Sequence, residues 1–381
     1  MAPTSVNSPT TPNQLLALGG LGFFLLWGAV FFNGTLDTLN LAQKTGVLPD
    51  NSPLRTTFTG WEVIDSSLST VTAFLYVLTR SGPSSRWLLF DTSILARTIT
   101  AWSLVDSRRR GVGHPWLRHQ IGFWFLLNLG GVAFIAPLNF YLVARSQKAA
   151  RDRTIPLNEA RAFVPAILVN FLSTLLIFVP TVLNWPAHDV QGYIALFQLT
   201  PLFFTIAIVL FSRPGTSSTV AETPKDEKKP NVEVPWVLAA YYLSGTIASI
   251  AHLYTLFFVA LNRGASPASS PELTVSRLFR PSPSKVFSAL PGSSELLREG
   301  LHLFVQYDNI VAGIAAIVFV HYQLQNIPNK KGGPTWRGPE KTNPELFLLL
   351  VASAVLGPAA AGSFALAVRE KRLRAELDKG K

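Results

Sequence analysis

Asp308 sits in the segment Leu303-Phe304-Val305-Gln306-Tyr307-Asp308-Asn309-Ile310. It lies about 10 Å inside a long apolar run at roughly 1.5 Å of rise per residue. No neighbour in sequence neutralises it. Glu62 and Asp65 open another apolar run in Trp61-Glu62-Val63-Ile64-Asp65, and their i, i+3 spacing puts both on one helical face. An ionisable side chain within hydrocarbon is costly and tends to be kept for a purpose. The chemistry that suits a carboxyl group there is proton donation. Desolvation favours the neutral acid, which can protonate an epoxide or an olefin. Aromatic faces then stabilise the migrating cation, and exclusion of water prevents early quenching. Phe, Trp and Tyr make up 11% of the chain, among them Trp102, Phe123, Trp124, Phe125, Phe134, Tyr241, Tyr242, Tyr254, Phe304 and Tyr307 in apolar runs.

Each polar candidate also has a structural reading. Acids at a helix start complement its dipole, which applies to Glu62 and Asp65. Asp308 can instead hydrogen-bond a neighbouring helix. His252, in Ala251-His252-Leu253-Tyr254, can be a hydrogen-bonded core residue. Asn128 and Asn139 flank the Gly130-Gly131 pair, where small residues and amides favour close helix packing. Asp91 and Arg97 share a run but stand six apart, so they do not face each other. Arg97 is expected to snorkel or to pair with another helix. His302 and His321 lie near the ends of their run and are expected to face head groups.

The elements that position these groups are apolar runs near the roughly 20 residues needed to cross a bilayer. They cover 15–32, 63–79, 88–105, 120–144, 162–184, 190–212, 235–261, 301–324 and 344–368. This predicts an all-α polytopic transmembrane bundle of nine spans in a single membrane domain. Eight is the alternative count, because 63–79 and 88–105 are short and more polar. With nine alternating spans, Asp65, Asp308, His252 and Asn128 fall in the same half of the membrane and can line one pocket. The first run has no Lys or Arg before it and no clean cleavage site after it, so it reads as a retained span. Residues 213–234 are Pro-, Ser- and charge-rich and read as a disordered loop. Residues 263–300 read as a Ser/Pro-rich loop with apolar spots that lies on the membrane surface or caps the bundle.

Composition agrees with this reading. Of the 381 residues only 14% are charged, mean hydropathy is +0.30 and net charge is +11. A soluble domain carries roughly 25% charged residues. The basic residues lie in loops and the tail, where they suit anionic lipid head groups. No basic patch with interleaved aromatics suggests nucleic-acid binding. Cysteine is absent, which excludes disulfides, thiolate metal sites and cysteine nucleophiles. There is no adjacent Asp-Asp pair, no phosphate-binding Gly-rich loop, no His-x-x-x-His pair and no Gly-x-Ser-x-Gly elbow.

Four segments taken in order carry a resemblance. They are Trp61-Glu62-x-x-Asp65-Ser66-x-Leu68, Asn128-Leu129-Gly130-Gly131 through Pro137-Leu138, Ala251-His252-Leu253-Tyr254 and Gln306-Tyr307-Asp308. From about residue 60 onward the chain resembles fungal integral-membrane terpene cyclases of meroterpenoid biosynthesis, of the ascochlorin and ascofuranone type. These are related to the membrane "A" proteins of paxilline and aflatrem clusters. The resemblance implies cyclisation of an epoxidised, farnesyl-type chain on an aromatic or polyketide head, with no metal and no cofactor. It makes Asp65 and Asp308 candidate catalytic acids, and His252 and Asn128 pocket groups that orient the acid or take the terminating proton. Glu62, Gln306, Tyr307 and Tyr254 lie in the same motifs and are further pocket candidates. The implied setting is the endoplasmic reticulum membrane, beside membrane-bound oxidases of the same pathway. Two rival readings stand beside this one. A transporter of a lipophilic metabolite would employ the intramembrane acids as proton relays, and a non-catalytic scaffold would need none of them.

Overall fold

A computed structural model describes residues 12–112, 114–149, 153–212, 231–262, 273–327 and 344–378. The segments 213–230 and 263–272 lie outside the described residues. The described chain is helical apart from turns and one isolated bridge between Val47 and Pro53. Its main helices are α1 (Asn13–Phe32), α2 (Thr35–Thr45), α3 (Glu62–Arg80), α4 (Pro83–Ser107), α5 (Ile121–Gly130), α6 (Val132–Ala149), α7 (Leu157–Val182), α8 (Ala187–Phe197), α9 (Thr200–Phe211) and α10 (Val234–Asn262). After these come two short helices, α11 (Val275–Phe279) and α12 (Pro283–Phe287), then α13 (Ser294–Gln325), α14 (Pro344–Leu356) and α15 (Pro358–Asp378).

Five helices among the described residues are long and apolar enough to cross a membrane: α1, α4, α7, α10 through Leu261, and α13. The pair α8 and α9, bent by 50°, makes a sixth if it is one span. This is an integral-membrane helical bundle, and the count is five or six where the sequence predicted nine. The physical reasons are visible element by element. α3 covers the expected 63–79 run, but Ser66, Ser67, Ser69, Thr70 and Thr72 dilute its hydropathy. The expected 120–144 run is divided at Gly131, and 344–368 is divided at Gly357, both glycines with positive φ.

α13 is the central post. It packs against α1, α4, α6 and α15, and it is buried along most of its length. α4 is buried from Leu88 to Ser107 except at Phe90. α1 crosses α6 so closely that a Cβ at Gly22 would lie 2.2 Å from the Ala133 carbonyl oxygen. The described part of the Ser/Pro-rich stretch folds onto α13. There Leu278 and Val286 are buried, and Arg277 grips Glu299 with both carboxylate oxygens at 2.6 Å. At one end of the bundle α15 closes a buried ionic cluster. Arg109 binds Asp106 at 2.9 Å and Glu370 at 2.8 Å, and Arg374 binds Glu370 at 2.8 Å and Glu233 at 3.1 Å.

Candidate active site

Two breaks in the helices frame a cavity. The first is Gly131, with φ +89°, between α5 and α6. The second is the Gln198–Leu199 step between α8 and α9. A helix that stops inside the bundle exposes N–H groups with no intrahelical partner. Asp308 meets that need at the start of α6, where its Oδ1 accepts the Ala133 N–H at 2.6 Å. The bond fixes the carboxyl group across the break, where the positive φ and close neighbours favour glycine. A Cβ on Gly131 would lie 2.7 Å from Leu26 Cδ1 and 3.3 Å from Asp308 Oδ1.

Asp308 also lines the cavity, which measures about 140 Å³. The walls around it are mostly apolar and include Trp27, Phe74, Leu127, Val132 and Phe304. Phe304 lies one turn before Asp308 on α13. It meets Trp27 edge-on at 5.9 Å between ring centroids and Phe74 edge-on at 5.0 Å. Trp27 is held by its indole N–H, which donates to the Gly130 carbonyl at 2.9 Å. One carboxyl group therefore shares a cavity with three rings, two of which pack edge-on against the third, Phe304. The arrangement sets a carboxyl group and π-faces in one largely apolar cavity, which are two of the requirements of cation chemistry.

A polar group lines the same cavity. Arg97 of α4 is buried and donates to Asn128 Oδ1 at 2.6 Å and to Asn170 Oδ1 at 3.4 Å. Its guanidinium also lies 5.1 Å from the Phe197 ring centroid. Arg97 thus pairs with other helices, as expected of it, but through amides and into the cavity.

The structure brings together two of the sequence-predicted site residues, Asp308 and Asn128. The other six lie elsewhere. Asp65 ties down the loop that leads into its own helix: it accepts the Thr59 N–H at 2.7 Å, the Thr59 hydroxyl at 2.9 Å and the Gly60 N–H at 2.9 Å. Glu62, one turn earlier, is exposed. His252 binds Asp91 at 2.9 Å and lines a separate small void beside Gly357. Gln306 is buried, and its amide donates to the Arg277, Leu278 and Arg280 carbonyls, which pins α11 to α13. Tyr307 is half-buried against the Val286 and Leu303 cluster. Tyr254 is exposed and packs edge-on against Trp87 at 5.4 Å. The shared pocket expected for Asp65, Asp308, His252 and Asn128 does not form, because equal depth in a membrane does not set the direction a helix face points. His302 and His321, expected at head groups, are buried: His302 bridges Ser85 and the Arg277 carbonyl at 2.9 Å each, and His321 meets Gln325 at 2.9 Å.

Sequence reasoning missed Trp27, Phe74 and Gln198 as cavity residues. An apolar ring in an apolar run carries no mark of which way it faces. It also missed Asp91 as the partner of His252. The pair is 161 positions apart and is tied further to α13, where Asn309 donates to Asp91 at 3.3 Å and to Thr92 at 3.0 Å.

A helical membrane bundle with an acid-and-aromatic cavity defines a class, and comparison with known proteins gives the family. A family described as the CtvD domain matches residues 12–374. Two proteins named "Terpene cyclase DEP1", from Fusarium langsethiae and Alternaria brassicicola, are each 34% identical over 96% of this chain and 99% of their own. "Terpene cyclase alnG" of Emericella nidulans is 25% identical over 92% of both chains. No solved structure matches. The chain belongs to the CtvD-domain family and is a membrane terpene cyclase of fungal secondary metabolism.

Proposed function

We propose that the protein isomerises an epoxidised terpenyl chain by protonating it from Asp308. The observation that carries this reading is the placement of the Asp308 carboxyl group in the wall of the cavity, beside Trp27, Phe74 and Phe304. Asp308 gives its proton to the epoxide oxygen, and the adjacent C–O bond breaks toward the more substituted carbon. The π pair of the nearest alkene attacks that carbon and passes the charge along the chain. Loss of a proton from the last cation, or from a hydroxyl that captures it, restores the acid. Substrate and product are isomers, so no co-reactant is consumed. The Ala133 N–H holds one carboxyl oxygen in place, which leaves the group oriented for transfer. Asp65 is assigned to holding the loop before α3, because three donors from Thr59 and Gly60 occupy its carboxylate outside the cavity.

The substrate proposed is a farnesyl-type chain on an aromatic or polyketide head, as the resemblance to the ascochlorin and ascofuranone cyclases implies. The setting proposed is the endoplasmic reticulum membrane, where membrane-bound oxidases can supply the epoxide. Nine crossings are proposed for this topology, with α3, the broken pair α5–α6 and the broken pair α14–α15 as far as Val368 each counted as one span.

The purified, detergent-solubilised protein fed a terminal farnesyl epoxide on an aromatic head should yield a cyclic isomer of unchanged mass. A transporter would act only in a sealed vesicle and leave the compound unaltered. A scaffold would leave it unaltered in both.

A further inference from the structure

Arg97 is a cation built into a chamber meant for carbocations. That is unfavourable by like-charge repulsion unless something of opposite sign accompanies it. Among the described residues no carboxylate pairs with Arg97, and Asp91 of the same helix is taken by His252. Its partners are the neutral oxygens of Asn128 and Asn170. Its Nε has no acceptor although it is buried. Two cavity residues beside it repeat the pattern: the Asn128 Nδ2 is without a partner, and so are both polar atoms of Gln198, which is 5% exposed. Buried polar groups are normally satisfied, and a buried charge most of all needs a counter-charge. Three side chains from α4, α5 and the α8–α9 bend thus hold unused donors at one cavity.

We propose that Arg97, Asn128 and Gln198 form a receptor for the ionised oxygen of the substrate head, a carboxylate, phenolate or enolate conjugated to the ring that carries the terpenyl chain. The inference rests on the cyclase reading and deepens it by naming the head group. The guanidinium supplies the counter-charge, and the two amides complete the donor set. Gln198 Oε1 accepts a hydroxyl next to the ionised oxygen. With the anion bound, Arg97 no longer opposes positive charge along the chain. The head is fixed at the Arg97 side, so that the chain runs along the Phe304 wall to Asp308. A substrate with an uncharged head would leave Arg97 buried against it with no counter-ion.

The test compares farnesoic acid with its methyl ester, which share a chain and differ in the charge. Binding to the purified full-length protein is followed by Trp fluorescence, to which Trp27 in the cavity wall contributes. The acid should bind about tenfold tighter than the ester, as expected for hydrogen bonds to a charged group. Arg97→Gln should remove that preference, and a wild-type circular dichroism spectrum in detergent certifies its fold. Gln198→Leu should reduce the preference in part. Equal affinities in the wild-type protein, or a preference that survives Arg97→Gln, would overturn the assignment. If Arg97→Gln does not fold, the wild-type ratio and Gln198→Leu still decide. The catalytic reading fails separately: Asp308→Asn is read by turnover and should leave the acid-to-ester ratio in place.

Discussion

Three carboxylates that look alike in sequence do different work once their neighbours are known. Asp308 meets a helix start with one oxygen and faces the cavity. Asp65 binds the loop ahead of its own helix and is not in the cavity wall. Asp91 is bound by a histidine and an asparagine. Each buried acid was legible in the sequence as a polar residue in an apolar run, and so was Arg97. Their partners were not legible, because every partner of Asp308, Asp91 and Arg97 named above comes from a different helix. Asp65→Asn tests the division of labour. Asparagine keeps an oxygen for these loop donors but loses the charge, so the variant should unfold about 1 kcal/mol more easily in a denaturant titration. Its kcat on the epoxide should match the wild-type value. A large loss of kcat with normal stability would return Asp65 to the catalytic step.

At the scale of elements, the chemistry is placed by helix breaks. Gly131 frees the amide that Asp308 captures, and the Gln198 bend brings an unsatisfied amide to the same cavity. The Gly130-Gly131 pair was visible in sequence as a close-packing signal, yet its use as a break was not. The difference lies in φ, which the apolar pattern does not encode. Gly131→Ala puts a Cβ at positive φ and within 3.3 Å of the Asp308 carboxyl. Such strain costs about 1–3 kcal/mol. The variant should therefore melt at a lower temperature and also lose kcat, whereas Gly292→Ala, at a positive-φ position with open space around it, should lose only stability. Of the expected nine spans, 120–144, 190–212 and 344–368 are broken for the same reason, whereas 63–79 is unbroken and too polar. A hydropathy window reports how apolar a run is and is blind to where its backbone turns.

At the scale of the molecule, the bundle is tied at one end by charge. Glu370 lies beyond the last apolar stretch and is fully buried. Burial alone would raise its pKa, but the Arg109 and Arg374 guanidiniums outweigh it and hold the group at about 2, below the ordinary 4.5. A depressed carboxylate contributes stability that is complete above its unfolded pKa and disappears as pH falls through the folded value. Thermal unfolding in detergent should thus be insensitive to Glu370 ionisation above about pH 5 and fall progressively toward pH 2. Glu370→Gln should be less stable at pH 7, since a buried arginine loses its counter-charge, and its melting temperature should change less on acidification. A variant with the wild-type pH profile would show that the cluster does not set acid stability. None of this cluster touches the cavity, so its failure leaves the catalytic account standing.

The central claim is that a proton held by Asp308 starts the reaction, and one rate constant tests it. Asparagine at 308 keeps an oxygen for the Ala133 N–H but has no acidic proton, so the fold and the cavity should persist. With purified protein and the epoxide in excess, kcat of Asp308→Asn should fall by about 10²- to 10⁴-fold, the usual contribution of a general acid, while the melting temperature stays at the wild-type value. A variant that cyclises the epoxide at the wild-type kcat would contradict the account.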